Sequence, residues 1–157
     1  MPARLRPSAP IAERAILVGD PGRALMLAQE LLEQPKMSNH ARGLWGYTGT
    51  TAAGHELTIQ STGMGGPSAS VVLADLAELG VLRAIRIGTC SSLGDMGLGD
   101  LLVVREAHAE QGALVAPEVT KAPRPDAEMT AALQDHLPKA RLGVAVSLDS
   151  LYRSERG

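Results

Sequence analysis

Three arginines and the glycine-rich turns around them carry most of the chemistry that this sequence offers. In "ILVGDPGRALMLAQELLE" (16–33) an apolar run ends at Val18, and Gly19, Asp20, Pro21, Gly22 and Arg23 lead into a helical pattern. A helix N-terminus attracts anions through its free amides and its dipole. Arg23 on the first turn suits that place to a phosphate or a similar small oxyanion. The stretch reads equally well as a tight strand-to-helix turn with a solvated arginine. Two other turns resemble it. "STGMGGPS" (61–68) opens a helix, and "RIGTCSS" (86–92) puts Arg86 on a strand with Thr89, Ser91 and Ser92 in the loop after it. Arginine offers paired donors in a planar fork, and successive turn amides form anion-binding concavities. Two arginines, a threonine and several turn amides have the donors to enclose one tetrahedral anion.

The other reactive side chains carry less. Arg86 sits in an apolar strand, where an unpaired charge is costly, so it is either an ion-pair member or a ligand-binding residue. Cys90 reads as a small buried filler rather than a nucleophile, because no His, Asn or Asp pattern supports a thiol enzyme. His40 and His55 read as surface residues, and for His108, near a strand end, both readings stay open. No two histidines have metal-ligand spacing, and the acidic residues show no acid/base pairing, so no metal site is expected.

The elements that must position these groups follow from periodicity and breakers. Residues 15–19 read as a buried strand and 22–34 as a helix with Leu25, Ala28, Leu31 and Leu32 on one face. Residues 42–63 form two antiparallel strands with the turn near Ala53–Gly54. A helix runs from the Gly-Gly-Pro-Ser at 65–68 to Gly80, and "AIRIGT" (84–89) and "DLLVVREA" (100–107) are strands. A Pro- and Ala-rich loop at 112–125, a helix at 126–137 and a strand at 142–148 follow. Alternating strands and helices predict an α/β fold with a parallel or mixed sheet, whose ligands lie outside the carboxyl ends of the strands.

Composition bounds the function. A chain of 157 residues with 45% apolar and 20% charged residues is a single soluble globular domain by expectation. A net charge of −2 without a like-charge block gives nucleic acid or an acidic membrane nothing to bind. Aromatic content of 2%, with no Phe, leaves no base-stacking platform. The lone Cys90 excludes an internal disulfide and a cysteine metal cluster. No apolar run reaches membrane-spanning length, and "MPARLRPSAP" has no secretory apolar core. A cytoplasmic protein is expected.

Four segments then carry a family resemblance. "STGMGGPSASVVLADL" (61–76) resembles the signature of the purine and uridine nucleoside phosphorylase family: a small residue, any residue, Gly, an aliphatic, Gly, any residue, Pro or Ala, then Ser. Val71 stands where that family usually has Ile, and Asp75 where it usually has Glu. "VGDPGRA" (18–24), "RGLWGYTGT" (42–50) and "IRIGTCSSL" (85–93) occur in family order at family-like spacing. The resemblance implies a three-layer α/β sandwich, a central mixed sheet flanked by helices. It implies phosphorolysis of a ribonucleoside to free base and ribose 1-phosphate, with inorganic phosphate as co-substrate and no cofactor. By the same resemblance Gly19, Arg23, Arg86 and Thr89 bind phosphate, with Arg23 and Arg86 the catalytic pair. Arg42 reaches the phosphate of a neighbouring subunit, and Met64 packs against ribose. Small-molecule nucleoside and phosphate are the implied partners, in a homo-oligomer, a hexamer built from dimers. Retention of Arg23, Arg42 and Arg86 favours a phosphorylase over the related nucleosidases that use water.

Two departures qualify what the resemblance implies. The family usually has a histidine near the N-terminus that reaches a neighbour's ribose 5′-hydroxyl; here Arg4 is the only nearby candidate. The sequence stops at "DSLYRSERG", whereas family members continue into a Glu-Met-Glu-type ribose clamp and, in purine enzymes, an Asp that protonates the base. Residues 1–157 are therefore expected to be one nucleoside phosphorylase-like domain truncated at its C-terminus, binding phosphate with negligible phosphorolysis by themselves. "RGLWGYTGT" looks like the bacterial purine enzymes, while "TGMGGPS" with "RIGT" is closer to uridine phosphorylases. Uridine phosphorylases read uracil with a Gln and an Arg soon after a strand-end Tyr; Tyr152 is followed by Arg153, Ser154, Glu155 and Arg156, with no Gln. A purine substrate is favoured, with uridine phosphorylase as the alternative. A non-catalytic phosphate- or nucleotide-binding remnant is the alternative of another class.

Overall fold

A computed structural model describes residues 4–109 and 122–148. The chain divides after Thr89 into two compact units.

The first unit contains β1 (Arg14–Val18), α1 (Pro21–Leu31), β2 (Glu33–Asn39), a 3-10 turn (Ala41–Gly43), β3 (Gly46–Thr50), β4 (Glu56–Ser61), α2 (Gly66–Glu78) and β5 (Arg83–Arg86). The strands form one mixed sheet in the order β2-β3-β4-β1-β5. β1 runs parallel to β4 on one side, with Val18 opposite Ser61, and parallel to β5 on the other, with Leu17 opposite Arg86. β3 is antiparallel to β4 and to β2.

Strand alternation divides the core into two layers. Val18 and Ile59 pack with Ala24, Ala28, Leu32 and Tyr47 on the α1 face. Ala15 and Leu17, the intervening residues of β1, pack with Leu5, Val72 and Leu76 on the α2 face. Helix, sheet and helix form the expected sandwich. Ala24 and Ala28 fit α1 closely to the sheet because they are small, one turn apart and fully buried.

α1 starts sharply because Pro21 is pre-set for a first helical turn and Asp20 accepts the Arg23 N–H at 2.8 Å. It stops earlier than its periodicity suggests, at Leu31 rather than 34. The next segment is β2, an edge strand that the sequence does not announce. "EQPKMSN" buries only Ser38 and Asn39, carries Pro35 and holds Gln34 at φ 47°. Proline is confined to such edges, where its missing N–H faces no partner. The strand read as 84–89 also ends sooner, at Arg86, so Thr89 belongs to the following loop.

The second unit contains β6 (Leu102–Ala109), α3 (Ala127–His136) and β7 (Arg141–Ser147), with β6 and β7 paired in parallel. α3 is capped by Asp126, which accepts the Met129 N–H at 2.8 Å. Glu106 is bonded by Arg124 at 2.8 Å and by His108 at 2.8 Å. The Arg124 bond, followed by that to His108, holds the Glu106 carboxyl below the ordinary carboxylate range. Most of the loop read at 112–125 lies outside the described residues, as do Tyr152, Arg153, Ser154, Glu155 and Arg156. Among the described residues no helix is long and apolar enough to cross a membrane.

Candidate active site

The topology places every residue expected to bind phosphate or ribose at one edge of the five-stranded sheet. β4, β1 and β5 are parallel neighbours, so their carboxyl ends lie side by side. Gly19 follows β1, Met64 follows β4, and Arg86 ends β5 with Thr89 three residues on. Arg23 stands on the first turn of α1, which starts at this edge. β3 runs the other way, and its first residue, Gly46, pairs with Gln60 near the end of β4. The turn before β3, with Arg42, therefore reaches the same edge.

The β1 and β4 turns are tied together. The Thr62 N–H donates to the Val18 carbonyl at 2.7 Å, and the Thr62 hydroxyl to the same oxygen at 3.2 Å. The space in front of Gly19 opens on the Gly63 carbonyl, 3.7 Å from where a Cβ would lie. Ser68 donates to the Thr62 carbonyl at 2.7 Å and draws the first turn of α2 onto this loop. Met64, between Gly63 at φ 71° and Gly65 at φ 82°, is held outward and is 93% exposed. At Gly63 a Cβ would meet Ser68 Oγ at 2.8 Å in a left-handed backbone. Gly63→Ala is expected to cost about 1–2 kcal/mol, measured by urea unfolding against the parent chain.

The two helix N-termini at this edge differ. Asp20 already satisfies one amide of α1 and sets a carboxylate there. α2 begins at Gly65 with no capping side chain, so its first-turn amides and dipole are the ones left for an anion. At the α1 turn it is the side chain of Arg23 that points to anion chemistry. At this turn the free donor is thus the arginine side chain more than the helix end.

Arg23 is half-buried, and Arg42 and Arg86 are exposed. Among the described residues none of the three makes a side-chain hydrogen bond or an ion pair. The ion-pair reading of Arg86 finds no partner among the described residues, and its cost argument falls because β5 is an exposed edge strand. The Arg86 guanidinium lies back over Gly88, where a Cβ would come within 2.6 Å of Nη1. Only glycine leaves the side chain that path. Cys90 is exposed, which corrects its reading as a buried filler. His40 and His55 are exposed as expected, and His108 is engaged by Glu106.

Two features here were not read from the sequence. Beneath the edge lies a layer of buried polar side chains, Ser38, Asn39, Gln60, Ser61 and Thr62, each at most 1% exposed. Its signal was present: "SN" at 38–39 and "QST" at 60–62 end strands in polar residues. The other is Asp75, 3% exposed, whose Oδ2 accepts the backbone N–H groups of Arg4 at 2.6 Å and Leu5 at 2.7 Å. Arg4, the only substitute for the N-terminal histidine, is anchored on α2 by this bond.

The sequence matches the family model described as the phosphorylase superfamily over residues 13–156. It is 34% identical over 154 residues to the purine nucleoside phosphorylase DeoD-type of Oceanobacillus iheyensis, covering 91% of this chain and 64% of that protein. It is 42% identical over 102 residues to the protein of the same name from Caldanaerobacter subterraneus subsp. tengcongensis, covering 64% of this chain and 44% of that one. The fold superposes on the crystal structure of purine nucleoside phosphorylase from Toxoplasma gondii in complex with immucillin-H with a TM-score of 0.82 and 27% identity. That match covers 92% of this chain and 60% of the other. The matched regions thus span 44% to 64% of the length of these proteins.

Proposed function

We propose, for a chain that belongs to the phosphorylase superfamily, that it supplies the phosphate-holding part of a nucleoside phosphorylase. The reaction is attack of inorganic phosphate on a ribonucleoside, giving free base and ribose 1-phosphate. The observation that carries this reading is the convergence of Arg23, Arg42 and Arg86, all without carboxylate partners among the described residues, on one sheet edge beside the uncapped start of α2. A purine substrate is favoured because the relatives above are named purine nucleoside phosphorylases.

The residues take these roles. Gly19, Arg23, Arg86 and Thr89 hold the phosphate, and Met64 packs against the ribose. Breaking the N-glycosidic bond develops oxocarbenium character, as in glycoside hydrolysis. A phosphate dianion fixed beneath the anomeric carbon stabilises that cation and then bonds to it, while the base leaves with the bond electrons and takes a proton. The arginines orient the anion before reaction, so little reorganisation remains at the transition state. No cofactor beyond phosphate enters this scheme. Arg42 serves the site of a neighbouring copy, which makes the working form a homo-oligomer, and the protein acts in the cytoplasm.

The test is a thermal titration of the purified chain with inorganic phosphate. An anion that binds only the folded state at one hundred times its Kd stabilises it by about 2.7 kcal/mol, a rise in Tm of roughly 5–10 °C at this size. Failure of phosphate and of sulfate to raise Tm at any concentration up to 100 mM overturns the phosphate cage.

A further inference from the structure

The loop that carries Arg42 is clamped from below by two buried carboxamides. Asn39 Nδ2 donates to the carbonyls of Leu44 and Ala41. Gln60 Nε2 donates to the same Leu44 carbonyl at 2.9 Å, to Trp45 at 3.3 Å and to Ser61 at 2.9 Å. Both residues are fully buried. Between the two ends of this loop, Arg42 holds a left-handed backbone at φ 58° and ψ 21°. A non-glycine residue there is strained by about 1–3 kcal/mol and keeps the conformation only where its surroundings impose it. The 3-10 turn contributes only two backbone bonds, Gly43 N–H to His40 at 3.3 Å and Leu44 N–H to Ala41 at 3.1 Å. The carboxamide donors supply the remaining restraint.

Glycine 46 makes the second clamp possible. A Cβ there would lie 2.2 Å from Gln60 Oε1 and 3.0 Å from Ser38 Oγ. Any side chain at 46 would drive the Gln60 carboxamide off its carbonyls. Among the described residues Gln60 Oε1 and Ser38 Oγ have no hydrogen-bond partner, although both are buried. The amide at 60 is therefore kept at a desolvation cost on its oxygen while its nitrogen serves the carbonyls of the loop. Asn39 adds a link in the other direction, because its Oδ1 accepts the Arg6 N–H at 2.8 Å.

We infer that Asn39 and Gln60 are positioning residues that hold the Arg42 loop in its strained form and so aim Arg42 at phosphate. The inference rests on the proposed role of Arg42 as a phosphate ligand. Neither carboxamide touches the anion; each acts through the carbonyl of Leu44.

The experiment measures Kd for inorganic phosphate by calorimetry on the purified chain and on Gln60→Met, Asn39→Ser, Arg42→Ala and the Gln60→Met/Arg42→Ala double variant. Gln60→Met keeps the volume, and Asn39→Ser tests the same loop from its other clamp. Each is expected to weaken phosphate roughly tenfold, the scale of a misplaced binding group, and to speed tryptic cleavage after Arg42. In the Arg42→Ala background, Gln60→Met is expected to add nothing, an outcome that general loss of structure would not give. If Arg42→Ala leaves phosphate binding unchanged, the role of Arg42 is wrong and this inference goes with it. If Arg42→Ala weakens binding while both clamp variants bind normally, the phosphate site stands and the positioning role fails. Additive losses in the double variant, or unfolding of both clamp variants at 25 °C, also overturn it, because the carboxamides would then serve the core.

Discussion

Arg86→Ala is expected to abolish the phosphate-induced rise in Tm and, on the proposed phosphorolysis, to lower kcat/KM by roughly 10²–10³. That is the loss typical of one preorganised charge-stabilising donor. Arg86 closes β5, whose neighbour β1 delivers Gly19 and Arg23 to the same edge. Its guanidinium has no partner among the described residues to occupy it. Removing it therefore strands no buried carboxylate, and the folded chain tolerates the change. The loss appears in phosphate affinity and in turnover, with unfolding by urea unchanged within about 0.5 kcal/mol, as for surface substitutions. Arg23→Ala behaves alike. Cys90→Ala is the control: exposed and free, it alters neither reading. Steady-state kinetics with inosine and phosphate, beside the thermal titration, checks both. If Cys90→Ala proves the most damaging of the three, the arginine-held phosphate is the wrong mechanism.

Asp75→Ala is expected to have the largest effect on stability, a loss of about 3–5 kcal/mol. The carboxylate is nearly fully buried and accepts the amides of Arg4 and Leu5 through one oxygen. Bonds to an ionised group are worth about 1.5–3 kcal/mol each, and truncation leaves the donors unsatisfied as well. Leu5 is part of the α2-side core with Val72 and Leu76, so releasing the N-terminal segment also uncovers apolar surface. Tm should fall by roughly 10 °C or more, and a protease should trim the N-terminal segment before it cuts the sheet. A loss below 1 kcal/mol in urea unfolding would show that the segment is held by packing alone.

Much of the fold was legible in the sequence. The apolar run before Gly19, the proline-started helices and the turn at Ala53–Gly54 are local signals, and each element they mark is present within a few residues. β2 was not legible. Its sequence has neither alternation nor β-branched residues, and its place at the edge is settled by pairing with β3. Tertiary pairing overrides weak local preference in such strands. Cys90, read as a small buried filler, is exposed, and the strand that ends at Arg86, which reads as apolar, lies exposed at the edge of the sheet.

By itself the sequence determined the donor inventory at the strand ends. Arginines, glycines and a threonine beside α/β breakers imply an anion site, because charge, hydrogen-bonding capacity and backbone freedom belong to residue types. Only the tertiary structure decided how those donors are shared. The parallel order β4-β1-β5 puts three turns at one edge, and the reversal of β3 brings Arg42 there as well. Pairing also decided that Asn39 and Gln60, distant in sequence, meet at the carbonyl of Leu44. The physical reason is range. Propensity and charge act within a few residues, whereas a site is made of groups whose proximity depends on which strands pair, and pairing is settled by burial of the sheet's central strands between two helices.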